Sequence, residues 1–582
     1  MSNLSQMKIL LIYPYFLETR VLTAEDVSAV PLGVYYVAAV LKENNYDVEI
    51  LNWHNINATP EKIKEILVEK KPEVIGFSIL HGNRWGGIEI ARIAKKIDPA
   101  VTIVFGGVGA TFLWEHFLSH FSEVDYVVIG EGEHTFLNLV EHLESGHLQK
   151  IETLNGLAYR KDGQAVRTAD AVAINRLDDL PDPAKHFTYQ HLSLTRGCAG
   201  KCKFCGSPRF WGRNVRFHSA DYFVGQLQRL YQKGIRFFYF SDDTFTVDKK
   251  RVIEICRKII DKEMNIAWNA ISRVDYISEE IINWMRKAGC IQISYGVESG
   301  SEKIRNFLQK KIATGAIQNA FDLTQRYGIM ARAYFIYGCP QESRQTIQDT
   351  IDLIDRIKPL GTVFYILDIY PGTRLYEDFK QRLKRTDDVW LNRIEDIMYF
   401  ETDPDLTREL ILTFGQFLRS HFYNSLPGFV DAVDLIDKED LYALHSKFCS
   451  RLAMTFDYGD YSHIEEIKNK DTIAVKLYQR ALVYAPNAEA YLGLGVLYQK
   501  RGASRESIDI LSQGLAHFPH DARLNICMGV SLMNLEQWDE ALSHFLEFQD
   551  VKEAVRFAAL CYKAIGDEKK SAALLQNFEQ ME

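Results

Sequence analysis

The chain has 582 residues, 47% of them hydrophobic and 25% charged, and its 68 basic and 77 acidic side chains leave a formal net charge of −9. This is globular composition: it excludes a disordered or fibrous chain, and no basic excess points to nucleic acid or an anionic membrane. At roughly 150 residues per domain the length allows about four domains.

Glycine and proline interrupt every apolar run before it is long enough for a transmembrane helix, so no membrane span is expected. The opening MSNLSQMKILLIYPYF has no basic segment before its apolar run and does not read as a signal peptide. Nine cysteines in so long a chain do not make a disulfide scaffold.

Residues 1–150 alternate strand and helix. Strands are expected at Lys8–Tyr13, Val48–Asn52, Val74–Leu80, Val101–Gly106 and Tyr126–Gly130, with amphipathic helices such as Gly33–Asn44, Pro60–Lys70 and Gly87–Lys96 between them. The pattern predicts a Rossmann-like, doubly wound α/β domain that binds ligands at the strand C-terminal ends. Glycines gather at those ends: Gly106, Gly107 and Gly109, then Gly130 and Gly132. Residues 151–188 read as a hairpin, Gly156–Thr168, followed by a linker, Leu177–Lys185.

Over 189–400 the alternation resumes for six units. The predicted strands are His191–Arg196, Arg236–Asp242, Asn265–Ser272, Gln292–Glu298, Ala331–Gly338 and Thr362–Tyr370. Helical patterns such as Tyr222–Lys233, Arg251–Lys262 and Ser343–Ile357 separate them. Six such units predict a partial (β/α)6 TIM barrel with every strand C-terminal end at one mouth. Residues 401–470 read as a helical connector. Beyond them Gly495 recurs as Gly529 at an interval of 34 residues, Pro486 and Pro519 close successive helix pairs, and a shorter copy spans Ala554–Phe578. This all-α region, 471–582, resembles tetratricopeptide repeats, whose concave face takes a protein or peptide partner. A plain helical bundle is the alternative.

Three cysteines crowd into Thr195-Arg-Gly-Cys198-Ala-Gly-Lys-Cys202-Lys-Phe-Cys205. Three thiolates in C-x3-C-x2-C wrap a soft metal centre. A zinc site normally takes four ligands, and no nearby Cys or His pair completes one; three thiolates suit a 4Fe-4S cluster with one iron left open. His218 could be proposed as a fourth ligand, but it reads rather as a surface or substrate-side residue. The other cysteines, Cys256, Cys290, Cys339, Cys449, Cys527 and Cys561, are scattered as buried hydrophobes would be.

The cysteine motif, with the aromatic Phe204 before its last cysteine, resembles the signature of the radical S-adenosylmethionine enzymes. The resemblance implies that the open iron chelates S-adenosylmethionine, that an external donor such as flavodoxin or ferredoxin supplies an electron, and that a 5′-deoxyadenosyl radical results. It also implies cofactor contacts at strand ends. Asp242 or Asp243 would take the methionine amine, Arg273 a carboxylate, Glu298 the ribose, and Ser294 would face the interior. Phe335–Glu342 resembles the glycine motif near adenine, with Gln341 where the family has glycine. Catalytic residues beyond the cluster are not assigned. Tyr370-Pro-Gly-Thr373 closes the sixth unit as in the cobalamin-associated branch.

The first domain resembles the cobalamin-binding domain of that branch. The implied contacts are Leu32, Ser78, Gly106, Gly107, Thr111, Gly130, Glu131 and Gly132. No Asp-x-His-x-x-Gly follows the first strand, which leaves His54 and His81 as the histidines at a strand end. Arg84 or Trp85 would lie under the corrin and exclude water from cobalt. The implied reaction is methylation of an unactivated carbon; the alternatives are a radical cyclisation or rearrangement without net methylation, and a repeat-protein scaffold with a degenerate barrel. An oxygen-sensitive cluster fits an anaerobic enzyme in a reducing cytoplasm.

Overall fold

The computed structural model describes residues 7–17, 29–53, 59–146 and 148–581. The chain divides into two compact units, Met1–Leu323 with Met330–Arg419, and Thr324–Ile329 with Ser420–Glu582.

In the first unit, strands β1 (Lys8–Tyr13), β2 (Asp47–Asn52), β3 (Val74–Ser78), β4 (Thr102–Gly106) and β5 (Tyr126–Val128) run parallel in the order 2-1-3-4-5. Ile9, Ile12, Ile75, Ile103 and Phe105 are each at most 1% exposed, because helices cover both faces of this sheet. Truncating one of them to Ala would cost about 2–5 kcal/mol. The 2-1-3 order puts the topological switch point between β1 and β3, where doubly wound sheets leave a crevice.

The hairpin β6 (Leu157–Lys161) and β7 (Gln164–Arg167) extends this same sheet antiparallel to β5. The sequence placed it between domains. The backbone groups of β5 would otherwise form an open edge, and pairing them there satisfies them.

The second sheet of this unit has six parallel strands: β8 (His191–Leu192), β11 (Phe237–Phe240), β12 (Ala267–Ser272), β13 (Cys290–Glu298), β14 (Met330–Tyr337) and β15 (Gly361–Ile366). Apart from the break after β8 they lie side by side in chain order. Helices between them start at polar caps close behind the strand ends: Ser219, Asp248, Ser343 and Thr373 each accept a backbone N–H from the first turn. The predicted strand His191–Arg196 is two pieces. Its second half, β9 (Thr195–Arg196), leaves the sheet and pairs antiparallel with β10 (Arg216–Phe217).

In the second unit seven helices follow one another from Lys470–Tyr484 to Glu568–Gln580. Gly495 and Gly529 sit at matching positions in two helix pairs. A Cβ on Gly495 would stand 2.8 Å from Leu511, and one on Gly529 2.5 Å from Phe545, so both glycines permit close packing of paired helices. Among the described residues no helix is long and apolar enough to cross a membrane.

Candidate active site

The break after β8 has a specific cause. Asp242, at the end of β11, is buried, and its Oδ1 accepts the Thr195 N–H at 2.7 Å and the Thr195 hydroxyl at 2.6 Å, while Oδ2 accepts the Leu194 N–H at 3.2 Å. A carboxylate thus takes the backbone donors that a sheet partner would have taken, and the chain turns out of the sheet into the cysteine loop. Burial raises Asp242 to about 6. Its oxygens are committed to this turn, so of the two predicted acids it is Asp243 that presents a carboxylate at the mouth. There Asp243 accepts a hydrogen bond from Ser207, two residues beyond Cys205. Crowding by protein raises Asp243 as well.

Cys198, Cys202 and Cys205 are free and half-buried. Among the described residues one trio of His, Cys, Asp or Glu brings its ligand atoms within 4.8 Å of one another, and it is not these three. A single zinc at about 2.3 Å from each sulfur would need the sulfurs closer than that. The loop therefore fits a multi-iron cluster better than one ion. Burial raises Cys202, and raises Cys205 to about 12, so each is held as a neutral thiol whose proton a metal centre would have to displace. Phe204 lies half-buried within the loop.

Glu298 and Lys310 form an ion pair of 2.8 Å, each under a tenth exposed, in the electrostatic neighbourhood of Cys202. Gly296 makes room for it, since a Cβ there would meet Glu298 Oε1 at 2.6 Å and Lys310 Nζ at 2.7 Å. Glu298 holds a positive φ of 68°, a conformation that residues other than glycine seldom adopt. Lys310 carried no motif and was missed in the sequence. Arg273 makes a two-point contact with Asp275 at 3.0 and 2.7 Å, and its guanidinium lies beside the loop at Gly200. Ser294 is buried on β13, within 3.5 Å of Gln292 Nε2. Gln341 adopts φ +60°, so the departure from glycine leaves a glycine-like turn in place; the Cys339 N–H donates to Glu342 Oε2 at 3.2 Å across that turn.

A cavity of about 690 Å³ opens at the β1/β3 switch point. Its lining includes Gly33, Ser78, Gly106, Gly107, Gly130, Glu131 and Gly132 from the first domain, Gly206 and Ser207 just past Cys205, and Asp368, Tyr370, Glu395 and Asp396 beyond β15. A Cβ on Gly33 or Gly130 would meet nothing within 4 Å, which leaves a smooth apolar wall. The volume is in the range of cofactor sites.

Several expected contacts fall elsewhere. Leu32 is outside the lining and packs with Tyr36, Ile174 and Leu177. Thr111 is also outside it, and its hydroxyl accepts the Gly130 N–H at 3.0 Å, so it shapes the turn. Gly107 lines the cavity, but its φ of +92° and the approach of a Cβ to Ile79 O at 2.8 Å show that the turn itself needs glycine. Glu131 borders the cavity while its carboxylate is taken: Arg196 at 2.6 Å on one oxygen, Arg216 at 2.6 Å on the other. Arg84 and Trp85 do not line the cavity. Arg84 donates to the carbonyls of His81 and Glu395 at 3.0 Å, and Trp85 Nε1 to Asn392 O at 3.1 Å. His81 is in the lining, buried against Trp390 at 4.1 Å, and burial holds it well below the usual imidazole range. His54 lies outside the described residues. His218 is no cluster ligand; it is buried, with Nε2 3.0 Å from the Tyr36 hydroxyl and Nδ1 3.1 Å from Asp178.

Two family models match: a B12-binding domain over residues 21–140 and the radical SAM superfamily over residues 192–354. An uncharacterised methyltransferase of Pyrococcus horikoshii is 32% identical over 383 residues, covering 64% of this chain and 83% of that protein. The chain belongs to the radical S-adenosylmethionine enzymes that carry a B12-binding domain. Within that family, the anaerobic magnesium-protoporphyrin IX monomethyl ester cyclase of Rubrivivax gelatinosus is 26% identical, over 63% of this chain and 69% of its own. The radical S-adenosylmethionine methyltransferase TsrM from Kitasatospora setae, solved with cobalamin and a [4Fe-4S] cluster, shares the fold at a TM-score of 0.58 and 15% identity, covering 82% of this chain and all of that one.

Proposed function

We propose that this enzyme methylates an unactivated carbon, using a 4Fe-4S cluster on Cys198, Cys202 and Cys205, S-adenosylmethionine and cobalamin. One observation carries the reading: a single cavity is walled by the glycine-rich strand ends of the B12-binding domain and by Gly206 and Ser207, adjacent to the last cysteine. When bound, the cluster and S-adenosylmethionine supply a 5′-deoxyadenosyl radical and cobalamin supplies a methyl group.

The chain's own residues have separable roles in this proposal. Asp243 accepts the cofactor's amine, because a carboxylate at a partly dehydrated mouth makes strong charge-assisted hydrogen bonds. Arg273 faces the carboxylate, and Glu298, braced by Lys310, a ribose hydroxyl. Phe204 flanks the cluster loop, and Ser294 faces the interior of what we read as a partial (β/α)6 barrel. Gly33, Ser78, Gly106, Gly130 and Gly132 admit the nucleotide tail and corrin edge. Similarity to the cyclase supports a second reading, ring formation or rearrangement without net methylation. An external flavodoxin or ferredoxin would supply the electron in an anaerobic cytoplasm. We read the seven C-terminal helices as tetratricopeptide repeats that hold a protein or peptide partner.

The test is anaerobic reconstitution of the full chain with iron, sulfide and cobalamin, followed by S-adenosylmethionine carrying a labelled methyl group. Formation of 5′-deoxyadenosine together with label on bound cobalamin is expected. Label-free cobalamin alongside 5′-deoxyadenosine would favour the second reading, and cleavage by a C198A/C202A/C205A variant would contradict both.

A further inference from the structure

Away from the cavity, the short helix Trp114–His120 presents His116 and His120 four residues apart, hence on one face. Asp388 approaches them from the turn Asp387–Leu391, and its Oδ1 is 3.3 Å from His120 Nε2. One ligand atom from each of the three lies within 4.8 Å of the others. His116 is 96% buried, and neither of its ring nitrogens has a hydrogen-bond partner. A buried polar atom without a partner costs free energy, and native structures seldom leave one so. His120 and Asp388 are accessible, at 36% and 64% side-chain exposure, so an ion and a water can reach the trio from solvent.

We propose that His116, His120 and Asp388 bind a divalent first-row transition-metal ion such as zinc, completed by water, distinct from the iron–sulfur cluster. Two imidazoles and one carboxylate are the donor set of open zinc sites. The ion gives the orphaned His116 nitrogen a partner. It also joins the first domain to the segment after β15, which contributes Glu395 and Asp396 to the cavity wall. That segment is already tied to the first domain by Trp85 to Asn392 O and by Arg393 to Glu89 at 2.7 Å. Metal occupancy therefore fixes one wall of the cavity without entering the chemistry there.

The full-length chain, its cluster reconstituted, is incubated with zinc sulfate and washed with a weak chelator; zinc content and the zinc K-edge spectrum are then measured. About one zinc per chain is expected, with a nitrogen and oxygen shell near ~2.0–2.1 Å and an imidazole outer shell. His120→Asn and Asp388→Asn, both at accessible positions, lose that zinc while iron content and circular dichroism stay at the wild-type level. Absence of retained zinc overturns the proposal. So does zinc held equally well by both variants, or a sulfur shell near ~2.3 Å that places it on the cluster cysteines.

Discussion

Arg196, two residues before Cys198, places Nη1 2.6 Å from Glu131 Oε1 in the glycine-rich turn after β5. Its second nitrogen pairs with Glu133, its guanidinium lies 5.2 Å from the rings of Tyr36 and Trp211, and all three charged side chains are under a tenth exposed. The same strand end that leads into the cysteine loop thus grips the turn bordering the cavity. One buried electrostatic joint ties the cavity's border to the strand that leads into the cysteines.

Removing one member of that joint leaves a buried charge unpaired, at a cost of about 3–5 kcal/mol. Arg196→Ala should lower chemical-denaturation stability by that order and reduce cobalamin retention in parallel. Glu131 is held below the ordinary carboxylate range: burial opposes this, and the Arg216 and Arg196 contacts outweigh it. A depressed carboxylate pKa gives stability that is present above the unfolded value and lost as pH falls through the folded one. Acid titration of wild type against Glu131→Gln should show this loss in wild type only; equal acid sensitivity would contradict it.

Asp242→Asn and Asp243→Asn should fail differently. The first puts an amide where the Leu194 or Thr195 backbone donors need an acceptor, so the cysteine loop loosens and iron content after reconstitution drops. The second keeps the loop and its iron but weakens S-adenosylmethionine binding, by about tenfold for loss of one charged hydrogen bond of ~1.5 kcal/mol. Calorimetric titration with parallel iron assay distinguishes them.

Asp242 also has a pH signature of its own. Its folded value, about 6, lies above the 3.8 of an ordinary aspartate, so the folded state holds the proton more tightly than the unfolded state. Stability from this group falls as pH rises from about 4 to about 6 and is level above that. The stability–pH slope across that window should flatten in Asp242→Asn.

Gly33→Leu and Gly107→Ala should separate cavity filling from backbone strain. The leucine grows into open space and should block cobalamin uptake at little cost in stability. The alanine must adopt φ +92° against Ile79 O, and should lower the melting temperature before any effect on the cavity. Equal loss of stability in both would refute the assignment.

Glu298→Gln and Lys310→Met each leave a buried partner without its counter-charge, and should each destabilise the fold and weaken S-adenosylmethionine binding. The double variant should cost clearly less than the two singles added, because the pair acts as a unit. Additive losses in a double-mutant cycle would show that the pair is not coupled.

The strand–helix alternation was legible because buried parallel strands must be runs of β-branched and aliphatic residues, and Ile9–Ile12 within the strand Lys8–Tyr13 is such a run. The crowding of Cys198, Cys202 and Cys205 into one short loop was legible because it is local in the sequence. The strand ends were legible too, as glycines and acids gathered where β-strands stop. Which of those acids is free was not. Asp242 and Asp243 are adjacent and chemically identical, and only the fold commits one to the backbone of Leu194 and Thr195 and turns the other to the mouth. The same holds for Glu131, set beside Arg196 and Arg216 from 65 and 85 residues away. Lys310 had no local signal at all, and nothing local ties Asp388 to His116 and His120. Local pattern records the hydrogen-bonding and burial needs of neighbouring residues; a pairing between distant charges exists only once the chain has brought them into a shared, water-poor space.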